Sequence, residues 1–383
     1  MSSEKITMAH GSGGKDSHEL MTKILAPHFH NKILDKMEDA AVLEIPNQSK
    51  IVVSTDSFVV RPIEFKGGDI GKLAVCGSVN DVLMMGATPK YITCAAILET
   101  GLDFEVLERI IVSMAAAAKE ADVFIVAGDT KVIEHAGDDS PGLIINTTCV
   151  GILEMPIIEM ENLGDPTAWA YAYTAKPPQA DGLKAGDKII VSGNLGDHHA
   201  CILSARMGTI NDIKSDCAVL KDITDSLKLS GIHPHAMRDV TRGGLATVLN
   251  ELAGSSKVNI EVDEKSLPVD DEVRAFCGIM GLDPLYMGNE GKMIVVVSEA
   301  ESEAALAAIQ ATPHGKDARM IATVVESAPP LLHPSSPIIA DSSSSSDSQN
   351  ASPVAAHKVY AKTKIGGKRI IDVLYGEGLP RIC

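Results

Sequence analysis

The sequence predicts a two-domain α/β protein, on three observations. Short runs of β-branched residues alternate with longer segments of helical apolar spacing in both halves of the chain. A polar, proline-bearing stretch at 155–186 interrupts that alternation. The length, 383 residues, suits two domains better than one or four.

The elements follow in order. Residues 50–54 (KIVVS) read as a strand. Residues 69–85 read as a helix, with Leu73, Val75, Val79, Val82 and Leu83 at helical spacing. Residues 91–98 form a strand, 103–121 an Ala-rich helix, 123–127 a short buried strand and 143–153 a further strand. After the break come a strand at 188–192, a helix from Asp197, a helix at 244–252 and strands near 258–262 and 293–298. A helix at 301–310 and a strand at 320–325 complete the second half. This divides the chain into a first domain (1–154), a linker or insertion (155–186) and a second domain (187–327). Segment 328–357, with five consecutive serines at 342–346, has too little apolar surface to offset its ordering entropy and is expected to be disordered. Residues 368–374 then read as a strand, and 375–383 have the Gly and Pro content of a mobile arm, the tail of the 358–383 region.

Apolar residues make up 45% but aromatics only 3%, so Ala, Val, Ile, Leu and Met must build the core. A net charge of -17 disfavours nucleic acid or an anionic membrane surface as partner, and still permits ATP in a locally cationic or metal-bearing pocket. No apolar run has membrane-spanning length and the N-terminus has no signal-peptide core, which predicts a cytoplasmic protein. The seven cysteines are scattered without a CxxC pair. Cys76, Cys94, Cys149, Cys201, Cys217 and Cys277 read as small buried hydrophobes in a reducing compartment, and Cys383 stands apart as the last residue.

Four motifs carry chemistry. His10-Gly11-Ser12-Gly13-Gly14-Lys15 lets backbone N–H groups approach phosphate and adds a cation, although it is not a Walker A loop and also reads as a flexible turn. Carboxylates recur at Glu38-Asp39, at Thr55-Asp56-Ser57 and Gly128-Asp129-Thr130-Lys131, both read as strand ends, and at Asn80-Asp81. Such a set converging on one sheet edge suits Mg²⁺, which prefers hard oxygen ligands shared with phosphate, whereas any single Asp also reads as a turn or cap. Asp81 is the sharpest of them, because an unpaired carboxylate in an apolar helix is costly to bury. Arg238-Asp239-Val240-Thr241-Arg242-Gly243-Gly244 before a helix reads either as an anion site or as a capped helix with a surface ion pair. Asn289-Glu290-Gly291 adds one acid, while the adjacent His198 and His199 point in different directions on a helix and do not make a metal site.

On these residues the chain resembles the HypE family of hydrogenase maturation proteins, within the PurM-like superfamily of aminoimidazole ribonucleotide (AIR) synthetase, selenophosphate synthetase and thiamine-monophosphate kinase. The matching stretches run in order: HGSGGK from His10, STDSFVV from Ser54, GGDIGKLAVCGSVNDVLMMGA from Gly67 and GDTKV from Gly128. VSGNLGDHHA from Val191, SDCAVL from Ser215, RDVTRGG from Arg238, NEGK from Asn289 and LPRIC from Leu379 follow. The last separates this family from its relatives. The resemblance implies a two-domain PurM-like fold whose N-terminal domain forms a homodimer, with ATP and Mg²⁺ in a cleft. It implies that a carbamoyltransferase, HypF, loads Cys383. ATP then drives dehydration of the S-carboxamide to an S-cyanide, which passes to iron on a HypC–HypD complex. Asp39, Asp56, Asp81 and Asp129 are then expected to hold Mg²⁺. Gly11, Ser12, Gly13, Gly14, Lys15, Thr55, Lys72, Asn80, Thr130 and Arg242 are expected to contact ATP. Lys131 and Glu290 are expected to move protons, with Cys383 as the carrier. The Ser-rich segment reads as an insertion that lengthens the tether of the final arm. Two rival readings remain at this point: a related enzyme that phosphorylates a small molecule with Cys383 a bystander, and a nucleotide-binding scaffold without activity.

Overall fold

The structure is a computed structural model that describes residues 15, 38, 41–44, 50–136, 140–153, 178–327, 357–363 and 365–374. Gly11, Ser12, Gly13, Gly14, Asp39 and Cys383, the Ser-rich segment and most of the 155–186 linker lie outside the described residues.

The first sheet is built from β1 (Ala41–Glu44), β2 (Lys50–Phe58), β5 (Thr88–Glu99), β6 (Phe124–Ile133) and β7 (Leu143–Leu153), in the order β1-β2-β7-β5-β6. All pairs are antiparallel except β5 with β6. The short strands β3 (Glu64–Phe65) and β4 (Gly68–Asp69) form a separate ribbon that leads into helix α1 (Ile70–Met84). Asp69 caps α1, accepting the N–H groups of Gly71 and Lys72 at 2.8 and 2.9 Å, so two orphan donors of the first turn are satisfied. Most of α1 is apolar and it is buried on nearly every side, as expected of a helix enclosed by two layers. Its Gly71 is required by packing, since a Cβ there would stand 2.5 Å from the Ile110 carbonyl of α2 (Phe104–Glu120).

The second sheet has the order β14-β13-β10-β12-β8-β11-β9. Its strands are β8 (Lys188–Val191), β9 (Ala236–Asp239), β10 (Asn259–Asp263), β11 (Met293–Val297), β12 (Arg319–Val325), β13 (Val359–Lys362) and β14 (Lys368–Ile371). Strand β11 is buried along its whole length, and strand alternation divides it between two cores. Met293, Val295 and Val297 face the core shared with α1 and with helices α4 (Lys221–Leu229) and α7 (Ser302–Gln310). Ile294 and Val296 face the core under α5 (Gly244–Ser256). Helices α3 (Asp197–Arg206) and α6 (Asp271–Met280) enclose a third, smaller cluster around Met287. One continuous core therefore runs from the first sheet through α1 into the second sheet, and it fixes the two halves against each other around α1.

Three expectations are corrected here. Strand β2 continues to Phe58 and β6 to Ile133, so Asp56 and Asp129 sit inside strands rather than at strand ends. The pairing partners β7 and β5 extend past these residues, and the ladder continues with them. Strand β6 is exposed throughout rather than buried, because it is the edge of its sheet and no described element covers it. Of the six internal cysteines five are buried, while Cys94 on β5 is half-exposed beside that edge.

Candidate active site

Where α1 meets both sheets, carboxylates gather from four elements. Strand β2 presents Ser54 and Asp56 on the face toward α1, two residues apart as strand alternation requires. Helix α1 brings Asp81, which accepts a short hydrogen bond from the Ser54 hydroxyl. Strand β9 ends in Asp239, 8% exposed, and the turn before β11 brings Glu290, 5% exposed. Arg242, in the turn before α5, places its guanidinium 3.9 Å from Asp56 across the two halves.

The electrostatics follow from too much negative charge in too little water. Burial raises Asp81 well above the carboxylate range, and Asp239 and Asp56 push it further in that direction against the Ser54 hydrogen bond. Burial likewise raises Glu290 well above its usual value, with Asp239, Asp216 and Asp56 adding to the effect and Arg242 opposing it. Asp239 is pushed up to about 7 by burial first and Asp56 second, and Arg238 works the other way. Asp56 is raised by burial, with Arg242 offsetting part of the shift. An uncompensated group of this kind is what a divalent cation and its phosphate ligands would neutralise. Among the described residues no three such side chains already stand close enough to enclose an ion.

A cleft of about 350 Å³ opens beside loop 215–218, lined by Lys72, Asn194, Asp197, Lys292, Lys316 and Asp317 among others. Three ammonium groups and three carboxylates (Asp197, Asp216 and Asp317) share its wall, with Lys292 paired to Asp216 at 3.4 Å, and its volume is within the small-ligand range. Asp197 at the N-terminus of α3 is raised to about 7 by burial, then by Asp216, with Lys292 opposing.

The remaining expected residues fall elsewhere. Thr55 faces away from Asp56, and its hydroxyl bonds to the Thr147 carbonyl at 3.1 Å and to Thr148 at 2.9 Å. Asn80 turns its whole amide to loop 215–220, donating to the Ala218 carbonyl at 3.0 Å and accepting from the Leu220 N–H at 2.9 Å. Lys15 is exposed and its N–H reaches the Leu374 carbonyl at 3.4 Å.

Asp129, Thr130 and Lys131 lie on the exposed strand β6, where Lys131 bonds to Asp129 at 2.9 Å and holds that carboxylate below its usual range. In the sheet register Asp56 stands opposite Thr147, Thr147 opposite Cys94 and Cys94 opposite Gly128. That separation is three strand spacings, roughly 14 Å. One ion cannot be held by Asp56 and Asp129 of the same chain, so the expected aspartates do not converge on one sheet edge within the chain. Lys131 and Glu290 are not brought together within the chain either. Asp239 and Asp216 were missed as site residues. In the sequence Asp239 is part of an arginine-rich anion motif, and nothing in SDCAVL announces that its acid is buried.

The histidines of α3 are both buried: His198 Nδ1 lies 2.7 Å from the Ser215 hydroxyl, and burial lowers His199 to about 4.

With this geometry, comparison with known proteins fixes the class. Residues 37–153 match the AIR synthase related protein N-terminal domain and residues 184–329 its C-terminal domain. The thiamine-monophosphate kinase of Aquifex aeolicus, at 19% identity and a TM-score of 0.55, shares the fold. The Carbamoyl dehydratase HypE of Cupriavidus necator is 38% identical over 383 residues, covering 100% of this chain and 95% of its own. The HypE of Escherichia coli is 37% identical over 385 residues, covering 99% of each. A HypE crystal structure in complex with ATP superposes with a TM-score of 0.71 at 41% identity over 99% of this chain and 100% of that one. A HypE–HypF complex gives a TM-score of 0.74 at 37% identity, over 93% of this chain and 99% of that one. The chain belongs to the HypE family, within the AIR synthase related proteins.

Proposed function

We propose that this protein is an ATP-dependent carbamoyl dehydratase that converts an S-carboxamide on its own Cys383 to an S-cyanide, for the iron of a [NiFe]-hydrogenase. The observation that carries the reading is the buried carboxylate group at α1, fed from both halves of a chain alike in sequence to HypE proteins over its full length.

The chemistry asks for two things. The carboxamide oxygen is a poor leaving group until it takes the γ-phosphoryl group, with an O–P bond formed and ADP released. The C–O bond then breaks, phosphate departs and both N–H protons are lost, leaving the nitrile. Glu290 suits the proton-accepting role by its place beside Asp239 and Asp56: burial among acids raises its affinity for a proton, and with those acids neutralised by a cation and phosphate it would stand in the carboxylate form that accepts one. Lys72, with Lys292 and Lys316, supplies positive charge for phosphate, and Arg242 is placed to exchange Asp56 for a phosphoryl oxygen. Asp56 and Asp81, with Asp39, would hold Mg²⁺, which when bound would neutralise the triphosphate.

The edge strand β6 supports a homodimer. Phe124, Ile125, Val126, Val132 and Ile133 are exposed on it, beside Phe104, Ile111 and Val112 of α2. Such an apolar face with an open ladder edge calls for a partner, and a second copy covering it would carry Asp129, Thr130 and Lys131 into the interface. HypF is the expected donor of the carbamoyl group and HypC–HypD the acceptor of cyanide, in the cytoplasm. Among the described residues no helix is long and apolar enough to cross a membrane.

Intact-mass spectrometry tests the reading. With HypF, carbamoyl phosphate and ATP, the peptide ending in Cys383 gains one carbamoyl group and then loses one water. Absence of both changes, or unchanged cyanide output from Cys383→Ser, refutes it.

A further inference from the structure

We propose that Asp216 is the positioning residue for Glu290, setting it in place through its main chain; this rests on the reading of Glu290 as proton acceptor. The Asp216 side chain is only 1% exposed. Its Oδ1 accepts the Glu290 N–H at 3.1 Å, and its Oδ2 lies 3.4 Å from Lys292 Nζ. Glu290 is held from the other side too, because its carbonyl accepts the Ala218 N–H at 3.3 Å. The following residue must be glycine, since a Cβ at Gly291 would stand 1.8 Å from the Asp216 carbonyl oxygen. Loop 216–218 and the turn carrying Glu290 are thus in main-chain contact, closer than any side chain would permit.

The same loop is anchored to the helix that carries Asp81. Asn80 binds the Ala218 carbonyl and the Leu220 N–H, and Asp81 is the next residue along α1. Hydrogen bonds therefore link Asn80, beside the acid of the first half, to Glu290 of the second through Ala218, and Asp216 adds a second hold on the Glu290 N–H. Coupling of this sort matters where two reacting groups must be held in register, since a displacement near 1 Å can cost about 100-fold in rate.

Two roles for Asp216 are separable. If it positions Glu290, it needs a hydrogen-bond acceptor at this distance, and an amide oxygen serves as well as a carboxylate. If it only pairs with Lys292, it needs charge, and reach is secondary. Asp216→Asn keeps the acceptor and removes the charge; Asp216→Glu keeps the charge and displaces the acceptor.

The experiment is ATP-dependent loss of water from full-length protein preloaded with carbamoyl on Cys383, with kcat and the KM for ATP measured separately. Positioning predicts that Asp216→Glu and Asp216→Ala lose about 10- to 100-fold in kcat and that Asp216→Asn recovers most of it, while any change in KM for ATP follows the loss of charge beside Lys292 and so appears in Asp216→Asn and Asp216→Ala but not in Asp216→Glu. Asp216→Glu outperforming Asp216→Asn overturns the proposal, as does wild-type kcat from Asp216→Ala. Should Asp216→Ala not fold, the Asn and Glu variants decide alone. Glu290→Gln is run alongside. Full turnover by Glu290→Gln removes the underlying reading, whereas a dead Glu290→Gln with an active Asp216→Glu and an inactive Asp216→Asn removes this proposal alone.

Discussion

Replacing Asn80 by alanine should destabilise the protein while leaving its affinity for ATP in place. Asn80 is 2% exposed and its amide makes two hydrogen bonds, at 3.0 and 2.9 Å, to main-chain groups of Ala218 and Leu220. Alanine leaves a buried carbonyl and a buried N–H without these partners, and each such loss costs about 1–3 kcal/mol. Partial relaxation of loop 215–220 reduces the sum, so a loss of about 3 kcal/mol is expected. Ser78 is the control. It is fully buried in the same helix, but its hydroxyl bonds only back to the Ala74 carbonyl at 3.3 Å. Ser78→Ala should therefore cost under about 1 kcal/mol. Urea unfolding followed by far-UV circular dichroism compares the midpoints, and steady-state kinetics gives KM for ATP. An Asn80→Ala midpoint no lower than that of Ser78→Ala, together with a raised KM, would refute the reasoning. It would instead restore Asn80 to nucleotide contact, as the sequence suggested.

Two further outcomes are expected. Asp239 keeps its proton up to about 7 in the folded protein against 3.8 ordinarily, so the folded state binds the extra proton across that window and stability falls as pH rises from about 4 to 7. Asp239→Asn removes this term, and its stability relative to wild type should grow from pH 4 to pH 8 in metal-free thermal melts; a difference independent of pH would contradict the burial argument. Phe124→Asp puts a charge on the exposed apolar edge strand, where Phe124 is 70% exposed. It should shift the protein to monomer in sedimentation velocity with little change in secondary structure, and a variant that sediments like wild type would exclude β6 from the interface.

Local periodicity disclosed the layers well. Helix α1 was read to within a residue of each end because its apolar spacing and Asp69 cap are properties of the segment itself. Strands β2 and β6 were read too short, because their polar second halves are held as strand by pairing with β7 and β5 rather than by their own residues. Strands β9 and β13, and helices α4 and α6, go unmarked in the sequence. Length does not separate them from β8, β14 and α7, which are as short and legible; β9 carries the charged Arg238 and Asp239 in a strand buried along its whole length, against the apolar pattern of a buried strand.

The site was legible in kind and less so in arrangement. The sequence marks acids and glycines, and Asp56, Asp81 and Glu290 do meet electrostatically at α1. What it does not mark is which face of a strand an acid takes, or whether a polar side chain serves a ligand or the fold. Thr55 and Asp56 are neighbours in sequence, yet alternation sends one to Thr147 and the other toward Arg242. Asn80 and Asp81 likewise divide the labour, the amide fixing the second half of the chain and the carboxylate joining the acids. The acid at position 81 is accommodated by the Ser54 hydroxyl and by its raised proton affinity, while Asn80 beside it holds loop 215–220, which in turn holds Glu290 at the same acid group. The motif is therefore better understood as one device than as two ligands. Its amide ties the helix of the first half to a loop of the second, across the core that the two halves share, and its carboxylate joins the acid group there.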